Sequence, residues 1–142
     1  MSRKATPSMQ YAALPYRRRA DGGIEVMLIT SRETKRWVIP KGWPAPGLAP
    51  HDSAKKEAME EGGILGRIGE HSIGFYHYTK VLPGDAVPCK VEVFLLEVEE
   101  QLVSWPEEGQ RLIRWFELQE AGEAVQEPEL SAIIRNLAAL LA

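Results

Sequence analysis

Hydrophobic positions along the chain fall into short extended runs separated by turn residues, and only two stretches carry a helical spacing. Gln10–Tyr16 and Ile24–Thr30 read as strands, joined by the charged, glycine-bearing turn Arg17–Gly23. Trp37–Ile39 is a further short strand, stopped by Pro40. A loop with Pro44, Pro46, Gly47 and Pro50 follows, because proline lacks the N–H that a helix or sheet interior needs. Asp52 or Ser53 caps a helix that ends at Gly62-Gly63, where glycine readily turns left-handed. Ala54 and Ala58, four apart, give that helix a narrow inner seam. Ile64–Lys80 reads as extended chain broken by Gly66, Gly69 and Gly74, and Val81–Pro88 as a loop around Pro83-Gly84-Asp85. Lys90–Val98 predicts a strand with much of both faces buried. Trp105–Gln110 is a loop, Arg111–Leu118 a last strand, and Pro128 opens a helix with Leu130, Ile133, Ile134, Leu137 and Leu141 on one stripe. Strands before, around and after a helix predict an α/β (α+β) chain, a mixed β-sheet covered by helices on both faces.

A chain of 142 residues is long enough for one core and too short for two. Residues 1–9 read as a flexible N-terminus and 10–142 as a single domain. The net charge of −3 provides no global basic face, so a nucleic-acid partner is not expected. No apolar run is long enough for a bilayer, so no membrane partner is expected. MSRKATPSMQ lacks the apolar core of a secretory signal. The lone Cys89 reads as a packed thiol and fits a reducing compartment, so a cytoplasmic location is expected. Arg17-Arg18-Arg19, the densest basic cluster, reads as a solvated turn.

Glu57, Glu60 and Glu61 change the picture. Positions i, i+3 and i+4 share one helix face, and three carboxylates there repel unless solvated, paired or neutralised. Lys56 and Glu60 are spaced for a surface pair, in the less favourable order. Mg²⁺ prefers hard oxygen ligands and keeps water and phosphate in its shell, so such a face can hold Mg²⁺ against a phosphate chain.

The segment from Gly42 to Ile64 resembles the Nudix box, a glycine, five residues, glutamate, seven residues, then R-E-U-x-E-E-x-G-U with U aliphatic. Gly42, Glu57, Ala58, Glu60, Glu61, Gly63 and Ile64 match it. Leu48 stands in place of the first glutamate and Lys56 in place of the arginine, two residues that in the family brace the loop against the helix. Their joint change predicts a different brace, with Leu48 packing rather than pairing. The resemblance implies the Nudix fold, an αβα sandwich with a catalytic loop-helix-loop. It also implies a metal site of Glu57, Glu60 and Glu61, with the backbone carbonyls of Lys41 or Gly42, for Mg²⁺ or Mn²⁺ in its place. Glu60 takes the proton-acceptor position, with Glu57 and Glu61 as alternatives.

Ser31–Trp43 and Arg111–Ala121 resemble the branch that contains diphosphoinositol polyphosphate phosphohydrolases and diadenosine polyphosphate hydrolases. That likeness implies phosphate contacts from Ser31, Arg32, Lys41, Lys90 and Arg111. Trp43, Tyr76 and Tyr78 are candidate base platforms, and His77, without a triad partner, reads as structural. The implied activity is hydrolysis of a phosphoanhydride in a small polyphosphate or nucleotide substrate. Diadenosine polyphosphates are favoured, because the acidic approach to the last helix (Glu123, Glu127, Glu129) suits a highly charged inositol pyrophosphate poorly. The alternative is a catalytically silent Nudix domain that binds a nucleotide or a protein. Either a monomer or a homodimer is expected.

Overall fold

The computed structural model describes residues 6–142. Its elements are β1 (Ser8–Arg18), β2 (Ile24–Thr30), β3 (Trp37–Val38), β4 (Lys41–Gly42), α1 (Pro50–Gly62), β5 (Ile64–Ile68) and β6 (Gly74–Leu82). β7 (Asp85–Gln101), β8 (Ile113–Glu117), α2 (Leu118–Ala124), α3 (Pro128–Arg135) and α4 (Leu137–Leu140) complete the chain. Of the expected flexible N-terminus, residues 1–5 lie outside the described residues, whereas Ser8 and Met9 already pair with Cys89 and Lys90.

The eight strands of the described residues form one mixed sheet. β2 is its most apolar strand, and Val26 to Ile29 are fully buried, as befits a strand covered on both faces. β8 runs antiparallel along one edge of β2. Along the other edge β1 pairs only through Tyr16–Arg18 with Ile24–Val26. The two strands then splay, and the segment Trp37–Gly42 wedges between them. It pairs with β2 through Trp37 and Val38 and with β1 through Lys41 and Gly42, and Pro40 O accepts from Ala13 N. β1 runs parallel to β7, whose other edge is shared by β6 and β5.

α1 covers one face over Ala13, Met27, Ile29, Phe94 and Leu96. α2, α3 and α4 cover the other over Leu14, Val26, Leu28, Val91 and Val93, filling it with Ala121, Leu130, Ile134 and Leu137. This is the expected αβα sandwich. Ala54 and Ala58 are fully buried, so the small seam does let α1 lie close on the sheet.

Three local expectations are corrected. α1 starts at Pro50 rather than at Asp52 or Ser53, with Ala49 as its cap and no side-chain cap bond. Proline at the first helical position forfeits only an N–H that has no helical partner. Ser53 Oγ, freed from capping, accepts from Ala45 N at 3.0 Å. The Val81–Pro88 loop shrinks to Pro83-Gly84, because β6 and β7 pair as far as Leu82 and Asp85. Leu48 does not pack. It is 44% exposed, and the proline-rich loop is tied to α1 by Ser53 instead.

Candidate functional site

Where β1 and β2 splay, the wedge Trp37–Gly42 forms one wall of a cleft of about 790 Å³. α1 presents Glu57, Glu60 and Glu61 to it. The loop between β2 and β3 supplies Ser31, Arg32 and Arg36, and β6 supplies Tyr78 to Lys80. Glu107 and Arg111 close one side.

The acidic part is built around the end of α1. Gly63 caps the helix with φ 66°, and its N–H bonds Ala58 O and Met59 O, a conformation glycine takes without Cβ strain. Glu57 lies directly against Gly42, where a Cβ would overlap its carboxylate. Glu61 Oε1 accepts from Lys41 N at 3.1 Å, and Oε2 accepts from Arg111 Nη2 at 3.1 Å. Glu60 pairs with Lys56 at 2.5 Å, as the sequence spacing allowed. Burial, then the neighbouring Glu61 and Glu60 carboxylates, push the Glu57 carboxyl up to about 7. Burial also raises Glu61, with Arg111 and the Lys41 N–H working against it.

The cationic part faces these carboxylates across the cleft. Lys41 Nζ sits 4.9 Å over the Tyr78 ring. Burial lowers the affinity of its amine for the proton, and Glu61 restores part of it. Arg36 is held by the buried Glu127 at 2.6 Å, and Lys80 lines the same wall. Arg32 donates to Gln110 Oε1 at 3.0 Å. Ser31 Oγ bonds Thr34 Oγ1 at 2.5 Å. Trp43 lies on the rim, 46% exposed, and the Tyr78 hydroxyl donates to Gln10 Oε1 at 2.6 Å.

Ser31, Arg32, Lys41, Gly42, Glu57, Glu60, Glu61 and Arg111 are thus brought to one cleft. Lys90 is not. It stands on the opposite face of β7 from Val91, with its ammonium 4.5 Å over Phe75, because successive strand residues alternate faces. Tyr76 is fully buried in the core and offers no base platform. His77 pairs with Glu129 at 3.0 Å outside the cleft. Arg17 and Arg19 are taken up by Glu25, Asp21 and Glu117 beside their own turn. Sequence reading passed over Arg36, Lys80, Gln10 and Glu107. Period-two alternation from Tyr78 could have found Lys80. Arg36 stands before Trp37 inside the Ser31–Trp43 likeness, whereas nothing local marks Gln10 and Glu107, which reach the cleft only through tertiary contacts.

The residues fit a divalent cation. The donors are hard carboxylate oxygens, glycine leaves room for Glu57 beside the backbone, and crowded like charges are what a cation relieves. The three carboxylates do not converge on one point as they stand, and among the described residues no ready cluster of three ligands forms. Glu60 is drawn off by Lys56 through a pair whose lysine is half exposed, and such pairs contribute little.

Comparison with known proteins agrees with this architecture. Nudix hydrolase 13, mitochondrial, of Arabidopsis thaliana is 33% identical over 106 residues, 70% of this chain and 52% of that protein. Diphosphoinositol polyphosphate phosphohydrolase 3-alpha of Mus musculus is 30% identical over 105 residues, 72% of this chain and 60% of that protein. The chain therefore spans little more than half the length of these relatives. The crystal structure of the C. elegans Ap4A hydrolase superposes with a TM-score of 0.69 at 24% identity, covering 96% of this chain and all of that one. Residues 10–140 match the NUDIX domain, a family whose enzymes generally use a divalent metal. With the glycine, the glutamate face and the αβα sandwich in place, the chain belongs to the Nudix domain family.

Proposed function

We propose that this chain is a Mg²⁺-dependent hydrolase of phosphoanhydride bonds, with dinucleoside polyphosphates such as the diadenosine compounds as the favoured substrates. The observation that carries the reading is the juxtaposition of Glu57, Glu60 and Glu61 with Lys41, Arg36 and Lys80 in one cleft. Glu57, Glu61, Glu60 and the backbone carbonyls of Lys41 or Gly42 would hold the cation. When bound, it supplies charge neutralisation on the phosphates and a more acidic water.

The remaining work falls to side chains. Lys41 and Lys80 meet phosphate oxygens as point charges, and Arg36, steadied by Glu127, offers the donors that Glu127 does not use. A glutamate of the face, Glu60 in the position the family gives to the acceptor, takes the proton of the attacking water.

Two features favour a dinucleotide over an inositol pyrophosphate. Arg32 and Arg111 are already paired with Glu107 and Glu61, and Arg36 shares its charge with Glu127, which leaves few unpaired cations for a very dense polyanion. Trp43 and Tyr78 provide aromatic surface on the cleft, suited to a base.

The test is release of phosphate and pyrophosphate from nucleotides, dinucleoside polyphosphates and inositol pyrophosphates, with and without Mg²⁺, beside Glu57→Gln and Glu61→Gln. Metal-dependent release lost in both variants is the expected result. Tight nucleotide binding with no release from any compound would leave the domain a binding module.

A further inference from the structure

We propose that Arg111, held by Glu107, is the positioning residue for the Glu61 carboxylate, replacing from outside the box the brace that Leu48 and Lys56 do not make. The inference rests on the reading of Glu61 as a metal ligand.

Neither box substitution reaches back to the helix end. Leu48 is exposed, and Lys56 turns outward to Glu60. Arg111 does the opposite. Its side chain is only 8% exposed. Nη2 donates to Glu61 Oε2 at 3.1 Å and to Glu107 Oε1 at 3.0 Å, while Nη1 donates to Thr30 O at 3.3 Å. One guanidinium is therefore fixed to the last turn of α1, to the end of β2 and to the loop before β8. A planar fork can span three such acceptors, and a lysine ammonium cannot reproduce it. The geometry is kept even though Arg111 Nε is buried without a partner.

The loop that carries Glu107 also grips the backbone from which Glu61 projects. Glu107 N donates to Glu60 O at 3.0 Å and Leu102 N to Gly63 O at 2.7 Å. Gln101 Nε2 donates to Gly62 O and Gly63 O at 3.1 Å. These are carbonyls at the helix end that the helix itself cannot satisfy. Backbone and side chain of Glu61 are thus set by the same segment. With Lys41 N on its other oxygen, Glu61 uses two acceptor positions and keeps two for a cation. With Nη2 given to two carboxylates, the guanidinium is assigned to holding Glu61 rather than to the phosphate contact that the branch resemblance implies.

The experiment is Mn²⁺ binding, read from the free-ion paramagnetic resonance signal, in wild type, Arg111→Gln, Arg111→Lys, Glu107→Gln, Glu61→Gln and the Arg111→Gln/Glu61→Gln double variant. Outer-shell partners of ligands typically affect affinity by roughly 10- to 100-fold. Arg111→Gln is expected to weaken Mn²⁺ at least about 10-fold on that scale, Glu107→Gln less, and Arg111→Lys to recover little. In the Glu61→Gln background, Arg111→Gln should add nothing. Unchanged Mn²⁺ affinity with a raised KM for polyphosphate would overturn the proposal and make Arg111 a phosphate contact. Independent, additive losses would overturn it too. Unfolding of the same variants without metal supplies a second reading. Non-additive stability losses support the Arg111–Glu61 coupling even if wild type binds no Mn²⁺, an outcome that would sink the proposed function alone. Additive losses there would count against the coupling itself, and Glu107→Gln combined with Glu61→Gln supplies the cycle if Arg111→Gln does not fold.

Discussion

The carboxylate of Glu57 occupies the space that a Cβ on Gly42 would need. Gly42 has no positive φ, so its requirement for glycine comes from this neighbour and not from backbone strain. Gly42→Ala should displace Glu57 while leaving the sheet pairing of Lys41 and Gly42 intact. The expected outcome is a metal affinity lower by about 10-fold or more with a thermal midpoint within a few degrees of wild type. Metal binding measured by calorimetry checks it, and an unaltered affinity would remove Glu57 from the ligand set.

The raised Glu57 carboxyl makes a signed prediction for pH. Its folded value of about 7 lies above the ordinary 4.5, so the folded chain binds the proton more tightly than the unfolded chain does. The associated stability is fully present below about pH 4.5 and is lost as pH rises through 7, by at most roughly 3 kcal/mol. Glu61, raised as well, acts in the same direction. Urea unfolding of metal-free protein at pH 5 and pH 8 measures the slope, and Glu57→Gln should flatten it. Mg²⁺ should stabilise more at pH 8 than at pH 5, because proton and cation compete for the same oxygens. An identical slope in wild type and Glu57→Gln would contradict the assignment.

The two departures from the Nudix box should be nearly silent when altered. Lys56 and Glu60 form an exposed i,i+4 pair, a kind worth about 0.3–0.5 kcal/mol, so Lys56→Ala should shift stability by no more than that. Leu48→Glu at an exposed site should stay within about 0.5 kcal/mol. Ser53→Ala should cost more, about 1 kcal/mol, since it unties Ala45 from α1. Chemical denaturation ranks the three, and a Leu48→Glu loss exceeding that of Ser53→Ala would mean the loop is braced otherwise.

Trp43→Ala separates the candidate substrates. If the exposed indole carries a base, the KM for dinucleoside polyphosphates should rise several-fold, with little change for an inositol pyrophosphate. Steady-state kinetics on both substrates decide it, and a parallel rise would mean that Trp43 shapes the loop rather than reading a base.

Much of the fold and the glutamate face of the cleft can be read along the chain, for reasons specific to certain residues. Glu57, Glu60 and Glu61 are close in sequence, and helix geometry alone places them on one face. Ala54 and Ala58, four apart, give the helix a seam small enough for close approach to a sheet, and both are buried there. Ile24–Thr30 is strongly apolar, without a break from Val26 to Ile29, and reads as a strand. Arg36 and Lys90 show the other side. Each is one cation beside aromatic or apolar neighbours, and which of them meets the cleft depends on strand register and on which face of the sheet is turned to it.

The sequence by itself determined the local periods, the helix end at Gly63, the glutamate face and the family, because each depends on residues within a few turns of one another. The tertiary structure alone decided that β1 and β2 splay, and that Trp37–Gly42 enters the gap to set Gly42 against Glu57. It also decided that Arg111, fifty residues on and held by Glu107, meets Glu61 at the end of α1. Those contacts depend on long-range pairing and on the burial of charges against one another. Their energies come from desolvation and geometry, which are properties of a place in the fold rather than of a position in the chain.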